Sequence, residues 1–471
     1  MVAERQKSQM ELAFDPGSRG EAPRAGDEGT EATMAKSRTE SSASTAELME
    51  EVCEHGNMKE ALRRVEGNKG GPGIDGMTVE ELRDHLKENW PEIHEGLLSG
   101  TYRPQPVKRV EIPKPGGGVR KLGVPTVIDR LIQQAVLQVL QPLWDPTFSE
   151  FSFGFRPGRS AHDAVAQAQE YVAEGCRWVV DIDLEKFFDR VNHDMLMGQV
   201  AKRVEDKRLL RLIRSFLNAG VMANGLVSPT EEGTPQGGPL SPLLSNLVLD
   251  DLDRELERRG HRFARYADDC NIYVKSERAG HRVMESVSRY ITKKLKLKVN
   301  REKSKVRRVQ QGQFLGFGFI LGKGGTVKRK IAPYAIKRMK QRVRELTRRT
   351  KGKSLEQVIE VLARYLVGWR GYFGFCEAHS VLKHLDAWIR RRLRAYLWKQ
   401  WKRSRVRYRR LRALGLGHGL AWITAGSNRG PWAMSRNKGM NIALRISYFD
   451  ALGLPRLEPQ RHARLSEPPC T

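Results

Sequence analysis

The chain has 471 residues, with 83 Lys+Arg against 55 Asp+Glu and a formal charge of +28, long enough for two or three domains and basic enough to point to a polyanion, either nucleic acid or an acidic membrane face. No apolar run is long enough to span a bilayer, and the N-terminus Met-Val-Ala-Glu-Arg-Gln-Lys lacks the apolar core of a signal peptide. Cys53, Cys176, Cys270, Cys376 and Cys470 form no Cys-x-x-Cys pair, which argues against a disulfide framework and a zinc module and for a reduced, cytosolic protein.

Residues 1–44 are rich in Glu, Gly, Ser, Arg and Ala and poor in aromatics, and they read as a disordered tail. Helical patterning begins near Thr45. A glycine-rich loop, Asn68-Lys-Gly-Gly-Pro-Gly-Ile-Asp-Gly76, leads into a helix from Thr78 with Glu81 set for a capping box. Residues 102–125 read as a hairpin whose glycine turn is flanked by Lys114 and Arg120, cations suited to a triphosphate. An amphipathic helix follows over 126–140, with Thr126 and Asp129 as its capping box. Phe151-Ser-Phe-Gly-Phe-Arg-Pro-Gly-Arg-Ser160 then opens another helix, capped by Ser160 and Asp163. Its aromatics read mainly as core, while Arg156 and Arg159 are candidates for template phosphates.

In residues 177–193 a β-rich run, Trp178-Val-Val-Asp-Ile182, turns helical, and Asp183 sits where the strand ends. Phe188 falls one turn into that helix, where a side chain leans back toward the strand end. Pro235-Gln-Gly-Gly-Pro-Leu-Ser-Pro242 combines glycines that let backbone approach a ligand, Gln236 with both donor and acceptor, and Ser241 and Pro242 as N-cap and first residue of the next helix. Strand-like flanks put Ala267-Asp268-Asp269 at a hairpin tip. Taken singly, Asp183 is a helix cap and Asp268 and Asp269 a solvated turn. Together, three carboxylates at neighbouring strand ends are what two-metal phosphoryl transfer requires, because Mg²⁺ takes carboxylate oxygens and keeps other positions for water and phosphate.

Residues 328–412 hold 27 Lys+Arg and 5 Asp+Glu, a net of +22. Aromatics are interleaved, Ser354 with Gln357 caps a long helix, and Arg390, Arg391, Arg392 and Arg394 crowd one run. Such a surface suits structured RNA through phosphate contacts and stacking, with about half of the aromatics assigned to the helices' own core.

Asp183-Leu-Glu-Lys-Phe-Phe-Asp189, Pro235-Gln-Gly-Gly-Pro-Leu-Ser-Pro242, Tyr266-Ala-Asp-Asp269, Asn300-Arg-Glu-Lys-Ser304 and Phe314-Leu-Gly-Phe-Gly-Phe319 stand in the order of the reverse transcriptase motifs. Over about residues 45 to 460 the chain resembles a bacterial group II intron-encoded reverse transcriptase and maturase. The resemblance implies an α+β, right-hand polymerase with fingers, a ferredoxin-like palm and a helical thumb. It implies Asp183, Asp268 and Asp269 as the metal carboxylates for two Mg²⁺ ions, with Mn²⁺ as an alternative. Lys114 and Arg120 would hold the triphosphate, Phe188 would lie under the sugar and exclude a 2′-hydroxyl, Gln236 would line the nascent base pair, and Lys303 would approach the pyrophosphate. Leu366-Val-Gly-Trp-Arg-Gly-Tyr-Phe373 resembles the maturase-specific segment, and Ala425-Gly-Ser-Asn-Arg-Gly-Pro-Trp432 and Tyr448-Phe-Asp-Ala-Leu-Gly-Leu-Pro455 are similar to a segment that contacts DNA targets.

The expected organisation is a tail at 1–44, fingers and palm at 45–322, thumb and maturase domain at 323–412, and a DNA-binding-like segment at 413–471. Expected partners are group II intron RNA, an RNA template with a DNA primer, target DNA and dNTPs in a bacterial cytosol, with no membrane and with oligomeric state open. The cysteine pairs of a zinc His-Asn-His endonuclease do not occur before Thr471, so priming from a nick made elsewhere or from a replication fork is expected. Two alternatives stand beside this reading. A splicing factor with a vestigial polymerase is opposed by the intact Asp183, Asp268 and Asp269, and a retron or diversity-generating enzyme is opposed by the long +22 region.

Overall fold

The computed structural model describes residues 45–113, 119–223, 226–228, 232–233, 237–350 and 352–458. The 1–44 stretch, Lys114 and Gln236 lie outside these, as does the side chain of Arg120. The described residues fall into two compact units, 45–312 and 313–458.

The first unit opens with helices α1 (Leu48–Cys53), α2 (His55–Asn68) and α3 (Leu82–Ser99). The helix expected from Thr78 starts only at Leu82, although the Glu81 carboxylate does accept from both the backbone N–H and the hydroxyl of Thr78. Strands β1 (Val107–Pro113) and β2 (Val119–Val124) pair antiparallel, Lys108 opposite Val124. Next come α4 (Val127–Trp144), whose Thr126 cap accepts from the Asp129 N–H, and α5 (Ala161–Ala173), closed by the full Ser160–Asp163 capping box.

Then follow β3 (Trp178–Ile182), α6 (His193–Val200), α7 (Lys207–Asn218), β4 (Val221–Ala223), β5 (Leu226–Ser228), α8 (Ser241–Arg258), β6 (Arg262–Tyr266), β7 (Asp269–Val274), α9 (Glu277–Lys293) and β8 (Lys305–Arg308). Ser241 is already the first residue of α8, and Leu240 precedes it without a side-chain cap. Ser241 is not the cap because the first helical bond already runs from the Leu244 N–H to the Leu240 carbonyl. The described residues of this unit form two four-stranded sheets, β2-β1-β4-β5 and β6-β7-β3-β8. In the second sheet every pairing is antiparallel. The path β3, α8, β6, β7, α9, β8 through that strand order is the ferredoxin-like arrangement. It forms because β3 and β7 carry apolar residues that face α8 and α9: Val180, Ile182, Ile272 and Val274 share one core with Leu244, Val248, Leu252, Val283, Val287 and Ile291.

The second unit starts with the hairpin β9 (Phe317–Leu321) and β10 (Val327–Ile331). Helices α10 (Pro333–Leu346), α11 (Leu355–Phe373), α12 (His379–Gln400) and α13 (Ser404–Ala413) follow, and then the short α14 (His418–Ala425), α15 (Pro431–Met434), α16 (Lys438–Ala443) and α17 (Ile446–Ala451). The Ser354–Gln357 capping box on α11 is reciprocal. Trp369, Tyr372, Phe373, Tyr396, Trp398 and Trp401 are buried, and Phe317 packs against Tyr372 and Phe373, so this share of the aromatics is core. No helix among the described residues is long and apolar enough to cross a membrane.

Candidate active site

The β6–β7 hairpin closes on the pair Tyr266↔Asp269, leaving Ala267 and Asp268 as a two-residue turn. Ala267 has φ 56°. The first central residue of such a turn is a place where glycine is favoured, and an alanine there costs on the order of 1 kcal/mol. Asp269 is therefore the first residue of β7 rather than part of the turn.

On the neighbouring strand the last pair is Ile182↔Cys270, so Asp183, one residue on, comes level with Asp269. The backbone of Asp183 is fixed by the segment before β8: its N–H donates to the Ser304 hydroxyl at 3.0 Å, and its carbonyl accepts from the Asn300 N–H at 2.8 Å. The same segment brings the exposed Lys303 Nζ to 3.7 Å from Asp183 Oδ2.

Asp181, two residues back on the same face of β3, pairs with Arg307 at 2.9 Å. Burial lifts its carboxyl to about 6, with Arg307 opposing the rise and Asp183 adding to it. Asp269 is lifted well above the usual carboxylate range, by burial first and then by Asp181, Asp268 and Asp183. Asp181, Asp268 and Asp183 thus oppose the ionisation of Asp269. Among the described residues no three His, Cys, Asp or Glu side chains already form a metal cage. Mg²⁺ does not need one, since it binds through one or two carboxylates and completes its shell with water and phosphate. The oxygen-only donors and their mutual repulsion fit such a cation.

Phe188 does not lie within an α-helix, as the helical pattern implied. Lys186 adopts φ 50°, and Phe187–Asp189 form a single 3₁₀ turn before Asn192 caps α6. A left-handed residue breaks the helix where the chain bends off the sheet. Phe187 is 2% exposed and is core; Phe188, half-buried, meets it edge-on at 5.1 Å. The loop ahead of α8 passes close to this turn. A Cβ on Gly233, whose φ is 96°, would stand 2.7 Å from the Phe188 carbonyl oxygen, so only glycine fits there.

The arginines expected at phosphates are largely engaged within the protein. The Arg156 side chain is 5% exposed and bridges Asp145 Oδ1 (2.9 Å) and the carbonyls of Ser149, Ser152 and Asp145. It is a brace for its own loop, not a free cation. Arg159 is half-buried, donates to the Glu150 carbonyl at 3.0 Å and lies over the Phe153 ring. Arg390 and Arg394 are buried. They stand four apart on α12 and so share its inward face, where Arg394 donates to the Leu444 carbonyl at 3.0 Å. Arg391 stacks 3.7 Å over Trp432 and donates to Ser435 Oγ. Arg392 donates to Thr347 Oγ1 at 2.7 Å. Burial, with Arg344 and Arg349 adding, pushes Arg392 down to about 10. Burial of Arg390 and Arg394 runs against their expected place at RNA, whereas Arg391 and Arg392 are half-buried and also brace Ser435 and Thr347.

Sequence reasoning passed over Arg265, Asp253, Asn246 and Ser304. Asp253 had left a trace, as a charge on the apolar stripe Leu249, Leu252, Leu256 of α8.

Residues 112–319 match the reverse transcriptase (RNA-dependent DNA polymerase) family, and residues 336–415 match the group II intron maturase-specific domain. Protein YkfC of Escherichia coli (strain K12) is 34% identical over 305 residues, covering 56% of this chain and 80% of YkfC. The group II intron-encoded protein LtrA of Lactococcus lactis subsp. cremoris is 30% identical over 335 residues, covering 57% of this chain and 56% of LtrA. A solved Cas6-RT-Cas1–Cas2 complex aligns at 26% identity with a TM-score of 0.35, over 52% of this chain and 42% of the other. With a reverse transcriptase region followed directly by a maturase-specific one, the chain belongs to the group II intron-encoded reverse transcriptases and maturases, a family of RNA-directed DNA polymerases.

Proposed function

We propose that this protein copies intron RNA into DNA by two-metal nucleotidyl transfer, and that it binds the same RNA as a maturase to assist splicing and retrohoming. The observation that carries the reading is the meeting of Asp183 and Asp269 on adjacent strands, beside Asp268 and 3.7 Å from Lys303. Bound to Asp183, Asp268 and Asp269, two Mg²⁺ ions, or Mn²⁺ in their place, would activate the primer 3′-hydroxyl and neutralise the leaving pyrophosphate.

The rest falls to the chain. The primer 3′-oxygen bonds the α-phosphorus while the bond to the bridging oxygen breaks. Lys303, exposed beside Asp183, meets the departing pyrophosphate. Lys114 and Arg120 hold the triphosphate, Gln236 lines the new base pair, and Phe188 closes the space beside the sugar's 2′ carbon. In this reading 45–322 are fingers and palm, 323–412 thumb and maturase domain, and 413–471 the part that meets target DNA.

Primer extension on an RNA template, with and without Mg²⁺, paired with a splicing assay on the intron RNA, tests the proposal. Extension that needs Mg²⁺, together with assisted splicing, is expected. Splicing without extension would instead favour a splicing factor with a silent polymerase.

A further inference from the structure

Arg265 occupies the inward face of β6 and is 0% exposed. A buried guanidinium is costly unless its charge and donors are met, and here all five N–H groups have acceptors. Nε donates to Asp253 Oδ1 at 2.7 Å and Nη2 to Asp253 Oδ2. Nη2 also donates to Ser152 Oγ at 2.7 Å. Nη1 donates to Asn246 Oδ1 at 3.0 Å and to the carbonyl of Ala267 at 2.9 Å. Asp253, Asn246 and Ser152 are themselves buried.

Such a network is not required for stability, since apolar side chains of similar volume often replace buried ion pairs without loss. What an apolar replacement cannot do is hold the carbonyl of Ala267, the residue with φ 56°. The turn is gripped from its other side as well. Residues 151–153 run along β6, with Arg265 N–H donating to the Phe151 carbonyl and Phe153 N–H to the Arg265 carbonyl, both at 2.9 Å. This lays Gly154 on the turn: a Cβ there would stand 2.3 Å from Ala267 N. Asn246 Nδ2 donates to the Gly154 carbonyl at 2.8 Å, so α8 reaches both layers.

We propose that Arg265 is a positioning residue of the polymerase site: from beneath the hairpin its guanidinium holds Ala267 in the left-handed conformation that aims Asp268 and Asp269 at the catalytic cations. The inference rests on the polymerase reading above. Arg265 touches no reactant and acts through the turn. Residues that orient metal-binding side chains typically change metal affinity about 10- to 100-fold when altered.

The test uses the full chain with an RNA template and DNA primer and compares wild type, Arg265→Lys, Arg265→Lys with Ala267→Gly, and Val287→Ala. Three quantities are read: the Mg²⁺ midpoint of primer extension, Mn²⁺ affinity by electron paramagnetic resonance titration, and Tm. Lysine keeps the charge and loses the fork, so R265K should raise the Mg²⁺ midpoint and weaken Mn²⁺ binding by about tenfold. Glycine at 267 takes φ 56° without strain, so A267G should return both metal readings most of the way while leaving Tm low. V287A, a core change on α9 outside the Arg265 network, should lower Tm alone. Unchanged metal readings in R265K, or no recovery with A267G, would overturn the proposal and leave Arg265 a packing residue. Should R265K fail to fold, Asn246→Ala leaves the ion pair intact and must still raise the midpoint; an unmoved midpoint there is equally fatal. Wild-type protein that binds Mn²⁺ yet extends no primer would instead refute the polymerase reading, a separate result.

Discussion

Asp183 and Asp269 stand level on neighbouring strands, with burial and acidic neighbours lifting the Asp269 carboxyl and a lysine 3.7 Å from Asp183. Arg390 and Arg394, four apart on one helix, turn inward and are buried. Both regions are concentrated charge, one assembled from distant strands and the other local in the sequence, yet the fold uses them oppositely. A carboxylate has a short stem and only accepts hydrogen bonds, so several of them together keep a need for an external cation. Arginine has a long apolar stem and five donors, so it can be drawn inside to satisfy carbonyls at helix ends. A run of like charge thus marks a ligand more reliably when it is acidic and assembled from distant strands than when it is basic and local.

The sharpest way to break this contrast is at the carboxylates. Asp183→Ala or Asp268→Ala should reduce primer extension by about a thousandfold or more, equivalent to several kcal/mol of lost transition-state stabilisation, while affinity for intron RNA persists. Single-turnover extension alongside RNA binding measures it, and robust extension by either variant would remove these residues from the site.

The opposite pole is tested by Arg394→Gln, which leaves the Leu444 carbonyl without its donor. A loss of about 1–3 kcal/mol is expected for an unsatisfied buried acceptor, read from the denaturant midpoint. Stability equal to wild type would put Arg394 back among the surface charges.

Phe188 lies between the two extremes, half core and half exposed. Phe188→Ala should raise ribonucleotide use relative to deoxyribonucleotide by about tenfold, since an excluding contact of one or two kcal/mol is lost. The ratio of kcat/KM for matched nucleotides on one template decides it. If both rates fall together, the ring is packing against Phe187 and nothing more.

The smallest effect concerns arginines that do face water. Arg405 and Arg409 on α13 are exposed, so changing either to Gln should reduce the slope of log K against log salt for intron RNA by about 0.7 to 0.9 and leave stability within about 0.5 kcal/mol. An unchanged slope for both would move the RNA contact off this helix.

The palm was legible because its signals are repeated: a β-rich run ending at Asp183, strand-like flanks around Tyr266–Asp269, and motifs in a fixed order. Arg156 was misread for a physical reason. Its partner Asp145 lies outside any helical spacing, so nothing nearby in the chain marks the arginine as already engaged. Phe188 was placed on a helix because its neighbours are apolar at helical intervals; the left-handed Lys186 has no comparable mark, since lysine seldom adopts that conformation.

What the sequence determined by itself is local: the capping boxes at Ser160 and Ser354, the hairpin around Ala267-Asp268-Asp269, and the apolar face of α4. Each depends on residues within a few positions of one another, where backbone geometry leaves few choices. What only the tertiary structure decided is which charges are met inside. Ser152, Asn246, Asp253 and Arg265 come from three segments, and their bonds exist only once β6 has paired with 151–153 and packed on α8. A buried guanidinium is costly unless its donors are met, so the role of Arg265 is a property of the assembled site, of which the chain itself shows only one trace, Asp253 on the apolar stripe of α8.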